Sequence, residues 1–129
     1  MTHPYEELVH RAYDALASGD MTTIRELLAP DVVWHVPGNN PTAGEYHGVE
    51  GVMSFLAEAI QRTEGNMRFE LHDVLANDEH AVALQHLTAT RGDRTLDVND
   101  VVVYHVHDGR AAEVWFHSGD QAAHDAFWS

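Results

Sequence analysis

Residues 95–118 read TLDVNDVVVYHVHDGRAAEVWFHS. Two β-rich runs flank Asp108-Gly109, and a glycine there supplies the positive φ that a tight hairpin demands. Upstream, residues 67–76 and 80–91 have the same β-branched and aromatic character. Asn77-Asp78 and Gly92-Asp93 divide the runs. Residues 67–76, 80–91, 95–107 and 110–118 therefore predict four consecutive antiparallel strands.

The first half has a different period. Leu8, Ala12, Tyr13, Ala15 and Leu16 recur at helical spacing behind Pro4, and Ser18-Gly19 stops the run. Asp20 caps a second short helix with Ile24, Leu27 and Leu28 on its apolar side, closed by Pro30. Val32 to Val36 is a short strand broken by Pro37-Gly38, and 38–48 reads as a loop. Gly48 and Gly51 lead into a third helix carrying Val52, Phe55, Leu56, Ala59 and Ile60, which ends at Gly65. A last short helix, 120–128, starts at Asp120 and carries Ala123, Phe127 and Trp128. Helices grouped before a meander predict an α+β domain. Its strongly curved antiparallel sheet, covered by three helices from the N-terminal half, forms a cone around a cavity.

The 129 residues are enough for one domain, 1–129, and no repeat or linker divides them. Absence of cysteine removes disulfides and thiolate chemistry. Seven Lys+Arg against 21 Asp+Glu leave a net charge of −14, which opposes nucleic acid and anionic membranes. With no long apolar run and no basic-then-apolar leader, the chain is expected to be cytoplasmic.

The order of elements resembles the nuclear-transport-factor-2-like superfamily and, within it, SnoaL-like proteins. The likeness is carried by Ala15-Leu16-Ala17-Ser18-Gly19-Asp20, Leu27-Leu28-Ala29-Pro30-Asp31-Val32-Val33-Trp34-His35, Tyr46-His47-Gly48, Asp108-Gly109-Arg110 and Glu113-Val114-Trp115. It implies a cone whose interior takes a small molecule; such cones host isomerases, cyclases, dehydratases, hydrolases and simple binders. Ketosteroid isomerase, a relative, needs a phenol, a carboxylate base and a protonated carboxyl. The matching positions here are Ala12, Val36 and Val103, none of which moves a proton. Polyketide cyclases of the SnoaL type resemble the chain more. They imply an acid/base Asp after the last strand, matched by Asp120, and a strand histidine, matched by His105.

The isomerase-like register sorts the strand side chains. It turns Asn99, Val101, Val103, His105 and His107 toward the cavity, with His86 on the neighbouring strand beside His105. Val98, Val102, Tyr104, Val106 and Trp115 would then cover the outer face, an apolar surface that predicts a homodimer, as the resemblance also implies. On the last strand Val114, Phe116 and Ser118 would face inward, and on the first Trp34 would do so. His35 sits near the mouth.

Candidate catalytic residues are thus His105 and Asp120. Candidate substrate contacts are Trp34, His35, His86, Val103, Phe116 and Tyr13. Each has a plainer reading beside it. His105 and His86 are equally readable as hydrogen-bonded structural histidines, Trp34 and Tyr13 as core, Tyr46 and His47 as surface loop, and Asp120 as a helix cap. His105 and His107 form an HxH pair without a third ligand, so neither metal nor cofactor is expected. Two functions follow: cofactor-free acid/base conversion of a hydrophobic carbonyl compound, or binding of such a ligand without turnover.

Overall fold

The structure, a computed structural model, describes residues 3–129. Helix α1 (Pro4–Ser18) begins with proline in its first turn, where a missing N–H costs nothing, and ends on Gly19 at φ +74°. Helix α2 (Met21–Leu27) is capped by Asp20, whose Oδ1 accepts from the Thr23 amide at 3.1 Å. Strand β1 (Leu28–Val36) follows directly. Residues 44–47, read above as loop, instead form a short strand β2 (Gly44–His47) antiparallel to β1. Helix α3 (Gly48–Arg62) then leads to β3 (Arg68–Ala76), β4 (His80–Arg91), β5 (Arg94–His107) and β6 (Arg110–Ser118), and α4 (Gln121–Trp128) closes the chain.

The six strands form one mixed sheet in the order β2-β1-β6-β5-β4-β3. The meander is antiparallel throughout, while β1 lies parallel to β6. Val9, Val32, Val52, Val102 and Val114 are fully buried where α1, α3 and the sheet meet. A second apolar cluster joins Phe127 and Trp128 of α4 to Leu87, Leu96 and Val98.

One residue of register separates the sheet from the sequence expectation. On β5 the buried side chains are Leu96, Val98, Asp100, Val102, Tyr104 and Val106. The odd-numbered residues, His105 and Val103 among them, point away from the helices. On β4 the buried set is Ala81, Ala83, Gln85, Leu87 and Ala89, which puts His86 outside as well. A bulge on β6 sets the relation between the last two strands. Next to the turn, Val106 pairs with Ala111, yet His105 pairs with Glu113, leaving Ala112 without a partner. Such an insertion reverses the parity between two strands. Even-numbered residues of β5 and of β6 beyond the bulge thus share the concave face, so Phe116 lies where the isomerase-like register put it and His105, Val103 and His86 do not. The apolar residues assigned above to the outer face, Val98, Val102, Tyr104 and Val106, are core.

Candidate functional site

Helices α1, α2 and α3 and the concave side of the sheet enclose a cavity of about 650 Å³. Its wall is largely apolar, with Leu8, Leu16, Ile24 and Leu27 from the first two helices and Phe55 and Leu56 from α3. Trp34 and Phe116 stand in this wall on β1 and β6, their rings 5.5 Å apart. Trp34 is buried, and among the described residues its indole Nε1 is the one buried side-chain polar atom without a hydrogen-bond partner.

A polar band crosses this apolar interior. The Tyr13 hydroxyl on α1 donates to Gln85 Oε1 on β4 at 2.5 Å. Gln85 pairs across the sheet with Asp100 of β5, and both side chains face the cavity. Asp100 is 5% exposed and receives the imidazole of His124 from α4, with Nε2 3.0 Å from Oδ2 and 3.2 Å from Oδ1. Tyr104, four residues along β5, also lines the cavity.

Local sequence explains this convergence. Asp100 lies at the buried parity of β5, so the strand that inserts Val98 and Val102 into the core takes the carboxylate in with them. His124 stands three and four residues before Phe127 and Trp128, hence on the helix face that those aromatics dock. That spacing was a legible signal. Asp100 could be found only by knowing which face of β5 packs against the helices.

Burial sets the protonation of the phenols. It drives Tyr13 far above the ordinary tyrosine range, with Tyr104 and the Asp100 charge acting the same way. Burial likewise pushes Tyr104 up to about 12, its interaction with Tyr13 opposing. Both remain neutral hydrogen-bond donors at physiological pH. A carboxylate only accepts, so the bond to Asp100 is donated by His124 Nε2–H; in a neutral imidazole the lone pair is then on Nδ1.

Of the residues singled out in the sequence, Tyr13, Trp34 and Phe116 are gathered around the cavity. The others lie elsewhere. His105 is half-buried on the opposite face of the sheet, its ring 5.0 Å from that of His80. His86 meets Asp97 at 2.6 Å on that same outer face, and Val103 pairs there with Trp115. His35 stacks on Trp115 with rings 5.6 Å apart and bonds Glu113 at 2.6 Å. Asp120 caps α4, its Oδ1 accepting from the Ala123 amide at 3.0 Å. Among the described residues, no group of three or more His, Asp or Glu is gathered as a metal would require, and no helix is long and apolar enough to cross a membrane.

A family model described as a SnoaL-like domain matches residues 9–114. An uncharacterized protein of Mycobacterium tuberculosis is 34% identical over 124 residues, covering 95% of each chain. The structure of Bal32a, from a soil-derived mobile gene cassette, superposes with a TM-score of 0.95 at 33% identity over 98% of this chain and 97% of that one. A cystatin-like protein of unknown function from Xanthomonas campestris gives 0.92 at 26%, with 99% of both chains covered. At 23% identity and a TM-score of 0.74, a polyketide-cyclase-like protein of Streptomyces antibioticus, IdmH, shares the fold over 92% of this chain and 93% of its own.

Proposed function

Because the chain belongs to the SnoaL-like domain family, we propose that its cavity binds a small, predominantly apolar carbonyl compound and moves a proton on it without a cofactor. The observation that carries this reading is the Asp100–His124 pair inside an otherwise apolar cavity. His124 Nδ1 would take a proton from the carbon beside the carbonyl, while Asp100 orients the ring and stabilises the imidazolium that forms. The neutral phenol of Tyr104 is a donor suited to the developing enolate oxygen, whereas Tyr13 would serve there only on releasing Gln85. Returning the proton elsewhere gives isomerisation; attack by the enolate on a second carbonyl gives aldol closure; loss of a β-hydroxyl gives dehydration. His105, across the sheet, and Asp120, engaged as a cap, take no part in this scheme.

The test is α-deuterium exchange. Enolisable apolar ketones incubated with the protein in D2O are followed by proton NMR. Wild type is expected to accelerate exchange, and His124→Ala and Asp100→Asn to abolish the acceleration. Exchange undiminished in His124→Ala overturns the assignment.

A second reading, binding without turnover, is favoured by one observation: the Tyr13 hydroxyl proton is already engaged by Gln85. Tight ligand binding with no exchange by wild type supports it.

We also propose that the protein self-associates through its outer sheet face. Half-buried Val101, Val103 and Trp115 occupy the centre of that face.

A further inference from the structure

Helix α4 is eight residues long, and the position of His124 depends on how that helix is rolled about its axis. Its C-terminal end is well held. Phe127 and Trp128 are buried, and Arg91 and Arg94 on the β4–β5 hairpin donate to the carbonyls of Phe127 and Ser129. At its other end a different set of bonds runs to the segment following β1. A single oxygen, Asp125 Oδ1, accepts from the Asn39 amide at 2.9 Å, Asn40 Nδ2 at 2.8 Å and Gln121 Nε2 at 3.1 Å. Gln121 Nε2 also reaches the Pro37 carbonyl at 3.4 Å. Asn40 extends the connection inward: its Oδ1 takes the amide and hydroxyl of buried Thr42 at 2.9 and 2.6 Å.

Gly38 makes this approach possible. Its φ is +114°, and a Cβ there would fall on Gln121 Nε2 and 2.5 Å from Asp125 Oδ1. The backbone of residues 37–40 therefore lies against the polar ends of the Gln121 and Asp125 side chains, and a Cβ at residue 38 would displace them from their bonds. Pro37, Asn40, Thr42, Gln121 and His124 all line the cavity, whereas Asp125 does not. Adjacent helix residues project about 100° apart around the axis. Asp125 pinned to the 37–40 segment and His124 pinned to β5 are thus two bearings on one short helix, and together they fix its roll.

We propose that Asp125 is a positioning residue: by locking α4 to the 37–40 segment it holds the His124 imidazole on Asp100 and closes the rim of the cavity between them. The functional meaning of this lock rests on the reading of His124 as the proton carrier, but its test does not. The Nε2–H of His124, bonded to Asp100, should give an exchange-protected imidazole resonance in the unliganded protein, assigned by its loss in His124→Ala. In Asp125→Ala, and independently in Gly38→Ala, that resonance is expected to be lost to exchange while the protein remains folded by circular dichroism. Asp125→Asn keeps an acceptor oxygen without the charge and is expected to retain the resonance. Gly38→Ala leaves every charge in place, so it reports on geometry alone and serves where Asp125→Ala does not fold. A protected resonance persisting in folded Asp125→Ala or Gly38→Ala overturns the proposal. Equal loss in Asp125→Asn does so too, since charge rather than the bonded lock would then be responsible. Failure of the exchange chemistry with this resonance behaving as expected would discard the catalytic reading and leave the positioning intact.

Discussion

Tyr104 and Tyr13 show how far one side chain's surroundings shape its chemistry. Both phenols titrate above the ordinary value of 10.0, chiefly because burial disfavours the phenolate. Between pH 10 and about 12 the unfolded chain has released protons that the native protein still holds. The native state then binds more protons than the unfolded one, so stability falls as pH rises through this window and is fully present below it. The slope is roughly 1.4 kcal/mol per pH unit for each proton so retained. At about pH 11 the native protein should show at least two phenolates fewer than its four tyrosines allow. The missing absorbance should appear on unfolding in urea. Immediate ionisation of all four in the native protein would mean that water reaches the cavity freely.

At the scale of an element, the junction of β6 and α4 carries more constraint than its length suggests. Gly119 donates its amide to the Asn99 carbonyl at 2.9 Å, and a Cβ on Gly119 would overlap that same oxygen. The obstacle is backbone, so relief requires moving β5 or α4. Gly119→Ala should cost about 1–3 kcal/mol, measured by urea denaturation. Asp120→Ala next to it removes only a cap and should cost about 1 kcal/mol. A loss of exchange activity in Asp120→Ala with little change in stability would return Asp120 to the site. The same junction shows what was legible. Helix α4, its cap and its aromatic anchors follow from Asp120, Phe127 and Trp128 at helical spacing. Its partner on the sheet did not follow, because Asp100 shares the face of β5 that packs against the helices, and alternation alone does not say which face that is.

For the whole molecule, the outer sheet face is the open question with a direct measurement. It is populated by Val101, Val103 and Trp115, bordered by His35, His86 and His105. Of the residues that first suggested an interface, Trp115 remains on this face and the four others are core, yet a half-buried apolar centre persists. A dimer would bring together two chains of −14 each, so added salt should strengthen association by screening their repulsion. Sedimentation at micromolar concentration should report a dimer, and Trp115→Glu should report a monomer. Wild type sedimenting as a monomer at both low and high salt would remove the proposed self-association.

Local pattern was sufficient for the helices, the meander, the α+β class and the family, since caps, glycine turns and periodicity are written within a few residues of one another. It also brought Trp34, Tyr13 and Phe116 to the cavity. The Asp100–His124 pair was decided in three dimensions. Asp100 and His124 are 24 residues apart, and their meeting depends on which face of β5 packs against the helices. Alternation states that two faces exist; only packing against the helices, which buries Val98, Val102 and Tyr104 together, selects the one that carries Asp100 inward.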